Sequence, residues 1–305
     1  MGVMTDNAAD AHFDATMTSR APRLVRCLSL VAILLALTNG RAALAAETMA
    51  LHIPSQTIIL PNGLTVVVSP RDKLPIAAIS VRFKAGSAYD PEEKAGLSDM
   101  TARLLDKGTT TRTASAIAEE LDFLGARLDA SAGGTGSTVS LSLLAKDIDR
   151  GLSLLADILR DSRFETAELE RERTSMLSQI QQRRVNPRQV VSEVFREVLY
   201  GEHPLHRPIS GYASTVSQIT RDDVLAFYQR FYVPNNAIIV MVGDFSDTRM
   251  LELIERALGG WQTRPLDQIV LPQPSPTQGK QVRMVDMDGT SRTVSSSATT
   301  AAKPS

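Results

Sequence analysis

Apolar and polar positions alternate with a period of two over several short stretches of this 305-residue chain. Residues 57–60 and 64–68 are β-rich apolar runs separated by Pro61-Asn62-Gly63. Asn-Gly between such runs predicts a hairpin turn. Residues 77–83 alternate again and stop short of Gly86. The period then lengthens to that of a helix through 93–107 and again through 113–124, where Ile117, Leu121 and Leu124 fall on one stripe. Strand character returns at 126–130 and 138–144. Helices are expected at 147–160, 165–184, 187–199, 221–231 and 247–258, with a buried-type strand at 237–242 before the last.

Hairpins and helices in this mixture imply an α+β fold, an antiparallel sheet with helices packed on one face, and not a doubly wound parallel sheet. Residues 55–260 form the expected domain. Pro265, Pro272, Pro274 and Pro276 then mark a linker over 261–286, within which 281–285 could open a strand of a second domain. Residues 287–305 are dominated by Ser, Thr and Ala, a composition that cannot bury a core, and are expected to be a disordered or frameshifted tail.

The N-terminal end reads as an export signal. Arg20, Arg23 and Arg26 precede the apolar run 28–37, and Ala43-Leu44-Ala45 supplies a small-x-small cleavage pattern. The apolar run is too short to span a bilayer comfortably, so no stable membrane insertion is expected. Cleavage after Ala45 would remove Cys27, the only cysteine, and leave a lead-in over 46–54. The expected mature product is a nearly neutral protein, periplasmic or secreted. With 33 basic and 34 acidic residues in the whole chain, nothing in the charge balance argues for a nucleic-acid partner.

Candidate chemistry centres on residues 96–109, Gly96-Leu97-Ser98-Asp99-Met100-Thr101-Ala102-Arg103-Leu104-Leu105-Asp106-Lys107-Gly108-Thr109. With Leu60-Pro61-Asn62-Gly63-Leu64, Ala85-Gly86-Ser87, Glu172-Arg173 followed by Gln179, and Tyr232-Val233-Pro234-Asn235-Asn236-Ala237 running into Val242-Gly243-Asp244-Phe245, this outline resembles the pitrilysin/insulinase metallopeptidases. In active members of that family a Gly-Leu entry and a Lys-Gly-Thr exit bracket an H-x-x-E-H core whose histidines bind zinc and whose glutamate activates water. Carried over position by position, the zinc ligands become Asp99, Arg103 and Gln179, and the general base becomes Ala102. Glu172 is retained from the family's second helix. The resemblance covers about 55–260 and implies half of a clamshell.

These replacements leave no catalytic residues and no expected cofactor, although active members carry zinc. Arg103 is permanently charged and repels a metal, and Ala102 cannot accept a proton. Asp99 and Arg103 stand at i and i+4, in the order that favours a helical ion pair. His203 and His206 flank Pro204-Leu205 and read as loop histidines. Gly133-Gly134-Thr135-Gly136 precedes a strand, which excludes a phosphate loop. The expected function is that of a noncatalytic subunit, forming a heterodimer with an active zinc-bearing family member and helping to hold peptide or unfolded polypeptide substrate. A divergent zinc metalloendopeptidase, a stand-alone peptide-binding protein and a truncated nonfunctional fragment are the alternatives.

Overall fold

The computed structural model describes residues 55–267 and 269–273, together with Arg283 and Val285. The expected signal segment, the lead-in through residue 54 and the tail from 287 lie outside the described residues. Strands β1 (Gln56–Ile59) and β2 (Thr65–Pro70) form the predicted hairpin, with Ile59 opposite Thr65. Asn62 serves more than the turn. Its Nδ2 donates to the carbonyl of Leu258 at 2.7 Å, which ties the hairpin to the end of the last helix.

Four further strands complete one sheet: β3 (Ile76–Phe83), β4 (Arg127–Ala132), β5 (Ser137–Leu144) and β6 (Ala237–Gly243). Their order is β1-β2-β6-β3-β5-β4. All neighbours run antiparallel except β2 and β6, which pair in parallel from Thr65–Ile238 to Pro70–Gly243. The expectation of an antiparallel sheet is thus corrected at one junction. Side-chain alternation has the same period in either strand direction, and β6 returns from a distant part of the chain, where no hairpin sets its direction.

The eight helices of the described residues are α1 (Leu97–Leu104), α2 (Ala114–Leu124), α3 (Ile148–Asp161), α4 (Thr166–Arg184), α5 (Pro187–Tyr200), the single turn α6 (Ala213–Val216), α7 (Arg221–Phe231) and α8 (Asp247–Leu258). One row of each central strand is buried: Ile79, Val81 and Phe83 of β3, Val139, Leu141 and Leu143 of β5, and Ile239 and Met241 of β6. Against it pack Leu152, Leu155 and Ile158 of α3 and Met250 and Ile254 of α8. Fully burying each such side chain contributes about 1.5–3 kcal/mol, so this apolar layer is the main support of the fold.

Helix α1 is shorter than the expected 93–107. Gly96 takes φ +100°, a left-handed conformation that separates a short 3-10 turn at Glu92–Lys94 from the helix proper. Beyond its other end the chain is anchored by Asp157 of α3. Its Oδ2 accepts from Thr109 Oγ1 at 2.6 Å, Thr111 Oγ1 at 2.8 Å and Arg112 Nη1 at 2.6 Å. Arg112 also pairs with Glu120 at 3.0 Å, and Glu120 with Arg150 at 2.9 Å. Burial pushes the Asp157 carboxyl up, but the hydrogen bonds from Thr109, Thr111 and Arg112 outweigh it and hold the group below the usual range.

A carboxylate held low in the folded state stabilises above its unfolded pKa of about 3.9, and that contribution is lost as pH falls through the folded value. Asp157→Asn is therefore expected to lose about 2 kcal/mol at pH 7, the scale of hydrogen bonds to a charged group. Urea denaturation at stepped pH should show the gap to the unmodified chain narrowing below about pH 4, as Asp157 itself becomes protonated.

Candidate functional site

The site forms where α1 crosses α4. Asp99 and Arg103 share one face of α1, and Arg103 Nε donates to Asp99 Oδ2 at 3.1 Å. From α4, Gln179 Oε1 accepts from Arg103 Nη2 at 2.9 Å, and Glu172 Oε2 stands 3.9 Å from Nη1. Four of the five residues singled out in the sequence are thus brought together around one guanidinium. The fifth, Ala102, is buried at the same turn, with 1% of its surface exposed. Asp99 is also largely buried, and burial pushes its carboxyl up although the charges of Arg103 and Arg183 and the Arg103 hydrogen bond oppose the shift.

A zinc centre needs about four donor atoms with lone pairs converging on one point. The two oxygens best placed to serve, Asp99 Oδ2 and Gln179 Oε1, both accept hydrogen bonds from Arg103. A fixed cation fills the point of convergence, and Ala102 offers no lone pair. The residues present do not fit zinc. Nor do the histidines supply a second centre. His203 Nδ1 accepts from Leu205 N at 3.1 Å, and His206 Nδ1 donates to the carbonyl of His203 at 2.9 Å. Among the described residues no group of three or more His, Cys, Asp or Glu side chains converges as a metal site.

One residue that frames the site carries little signal in the sequence. Asp90 is buried beneath the start of α1 and accepts from Gly96 N at 2.9 Å and Ser98 N at 3.0 Å, with Ser98 Oγ at 3.2 Å. It satisfies backbone donors that the first turn of a helix leaves free. An acid six residues ahead of Gly96, followed at once by Pro91, carries that signal only when the helix start is known. The Gly-rich stretch at 133–136 has a packing role. Its backbone meets Ser87 and Ala88 through Ser87 N to Gly133 O and Ala88 N to Gly134 O, at 2.9 and 2.8 Å. A Cβ on Gly86 would fall 2.4 Å from Gly136 N, so only glycine permits this approach.

Burial raises the Asp90 carboxyl to about 7, against the hydrogen bonds from Gly96 and Ser98 and the charge of Arg207. Between about pH 4 and 7 the unfolded chain ionises this group while the folded chain keeps its proton, so stability falls as pH rises through that window. Asp90→Asn is expected to flatten that slope by as much as roughly 1.4 kcal/mol per pH unit, the limit for one proton. Chemical denaturation at pH 5, 6 and 7 checks it. An unchanged slope would mean that Asp90 stays ionised throughout.

Comparison with known proteins identifies the fold. The family description "Insulinase (Peptidase family M16)" matches residues 66–212, and "Peptidase M16 inactive domain" matches 218–299. An uncharacterized zinc protease from Rickettsia felis is 32% identical over 65% of this chain and 48% of its own length. The crystal structure of a peptidase M16 inactive domain from Pseudomonas fluorescens superposes with a TM-score of 0.69 at 25% identity, over 73% of this chain and 54% of that one. The periplasmic protease PqqL from Escherichia coli shares the fold, with a TM-score of 0.67 at 21% identity over 72% of this chain and 25% of that one. The chain spans about half the length of the curated relatives it matches. It carries the fold of these proteins, and it belongs to the insulinase-type peptidase family M16.

Proposed function

We propose that this chain is a noncatalytic subunit of an M16 peptidase system, which pairs with an active zinc-bearing member and helps to hold its peptide substrate. The observation that carries this reading is the Arg103 guanidinium bonded to both Asp99 and Gln179, at the positions that resemble the zinc ligands. Hydrolysis in the family manner needs an activated water and a base beside it. Ala102 supplies no base, and Arg103 occupies the place of the metal.

The edge of the sheet supports a peptide-holding role. Among the described residues β4 pairs only with β5, so the outer N–H and C=O groups of Arg127–Ala132 face no strand. Helix α1 packs beside this strand. An extended peptide added along such an edge gains main-chain hydrogen bonds independently of its sequence. The signal-like segment and the periplasmic setting of PqqL support a periplasmic location. No helix among the described residues is long and apolar enough to cross a membrane.

Co-expression with an active M16 member of the same genome, followed by size exclusion and a peptide-cleavage assay, tests the proposal. The two chains are expected to co-elute. The complex should cleave peptide in a chelator-sensitive manner, while this chain alone is inert. Chelator-sensitive cleavage by this chain alone would restore the divergent-endopeptidase reading. Failure to co-elute would remove the pairing.

A further inference from the structure

The Asn62-Gly63 turn joins the first hairpin to the last helix. Asn62 is 9% exposed, and its Nδ2 donates to the carbonyls of Leu258 at 2.7 Å and of Gly259 and Trp261 at 3.3 Å each. Its Oδ1 accepts from Leu64 N at 3.2 Å. One side chain thus holds β1 and β2 against the end of α8, across 196 residues of sequence. Both residues of the pair are imposed by the fold. Three carbonyls converging on position 62 require a donor there, which an amide supplies and a carboxylate does not. Gly63 takes φ +80°, and a Cβ on it would fall 2.9 Å from Asn235 Cβ. Beyond the expected signal segment, which holds Asn39-Gly40, this is the only Asn-Gly pair in the chain.

The same pair is chemically labile, because glycine has no Cβ to hinder attack of its backbone nitrogen on the preceding side-chain amide. Gly63 N bonds to Asn62 Cγ and gives up its proton, the Cγ–Nδ2 bond breaks, and that nitrogen leaves as ammonia. One water then opens the resulting cyclic imide at either carbonyl, to aspartate or to isoaspartate. No other reactant is needed. In the folded chain the participating groups are all engaged. Gly63 N donates to Leu60 O at 2.8 Å, and both ends of the Asn62 amide are bonded as above. Ring closure therefore requires a local opening in which the hairpin and α8 separate.

We propose that Asn62 is a site of spontaneous deamidation gated by the docking of α8, and that its conversion makes separation of hairpin and helix irreversible. An aspartate at this position is acceptor-only and ionised near neutral pH. Re-docking would bury its carboxylate against the three carbonyl oxygens with no donor between them. An isoaspartate carries the backbone through its side chain, which adds one carbon to the turn and displaces the pairing of Ile59 with Thr65. Either product leaves the first and last elements unjoined. A chain that stays open ages at this turn, whereas a folded one is protected. The inference does not depend on the noncatalytic reading.

The test follows the peptide containing Asn62 by mass spectrometry in the full chain, folded and in guanidinium, with chromatographic separation of aspartate from isoaspartate. In guanidinium Asn62 is expected to convert as fast as Asn39, which also precedes a glycine. In the folded chain it should convert more slowly by a factor of about ten or more. Leu258→Val and Trp261→Phe, mild losses at the end of α8, should each speed conversion in the folded chain by about fivefold and leave the rate in guanidinium unchanged. Material converted in guanidinium is expected to be missing from the refolded monomer on size exclusion, and Asn62→Asp to lower the thermal midpoint or prevent refolding. Equal rates in the folded and denatured chain would overturn the gating, as would variants that leave the folded rate unchanged. Converted chains that refold in full, or an Asn62→Asp chain with an unaltered midpoint, would overturn the irreversibility. None of these readouts involves an active peptidase, so failure here is distinguishable from failure of the pairing.

Discussion

A guanidinium keeps its charge at every pH a folded protein experiences, and this constraint organises the crossing of α1 and α4. Once Arg103 stands on α1, the neighbouring oxygens have one favourable arrangement, which is to turn toward it. Asp99 and Gln179 do so from two different helices, and Glu172 stands behind them. A metal in the same place would have to displace a fixed positive charge. The arrangement stabilises the helix crossing and closes the site to zinc through the same contacts.

The frame around this crossing is maintained by two other carboxylates. Asp90 binds backbone donors at the entry of α1, and Asp157 gathers Thr109, Thr111 and Arg112 just beyond its exit. Neither touches Arg103. Burial pushes both carboxyls up, but the outcomes differ: Asp90 ends above the usual range because few charges offset its desolvation, whereas Asp157 is held low by a guanidinium and two hydroxyls. Helix α1 is therefore fixed at both ends by groups other than the zinc-ligand positions, which gives a physical reason why the family outline can persist while those positions change.

Much of this was legible in the sequence. The two periodicities placed the strands and most helices, and the order of five short motifs placed the site. The i,i+4 relation of Asp99 and Arg103 needed only helical geometry. Gln179, 76 residues away, was reached through the family resemblance, because its meeting with Arg103 depends on a helix crossing that no local pattern encodes. The parallel β2–β6 junction was hidden because alternation is blind to strand direction. The left-handed Gly96 broke a helix that apolar spacing alone would have continued, and the role of Asp90 followed from that break.

Fold and chemistry thus part company at a few side chains. The unit is that of a peptidase family, while the residues at the crossing of α1 and α4 form an ion-pair cluster. The most direct measurement is calorimetric titration with zinc of this chain and of a variant carrying Asp99→His, Ala102→Glu, Arg103→His and Gln179→Glu. If Arg103 alone stands where a metal would, the unmodified chain shows no stoichiometric binding and the variant binds one zinc per chain. One-to-one binding by the unmodified chain, or none by a folded variant, would contradict the account.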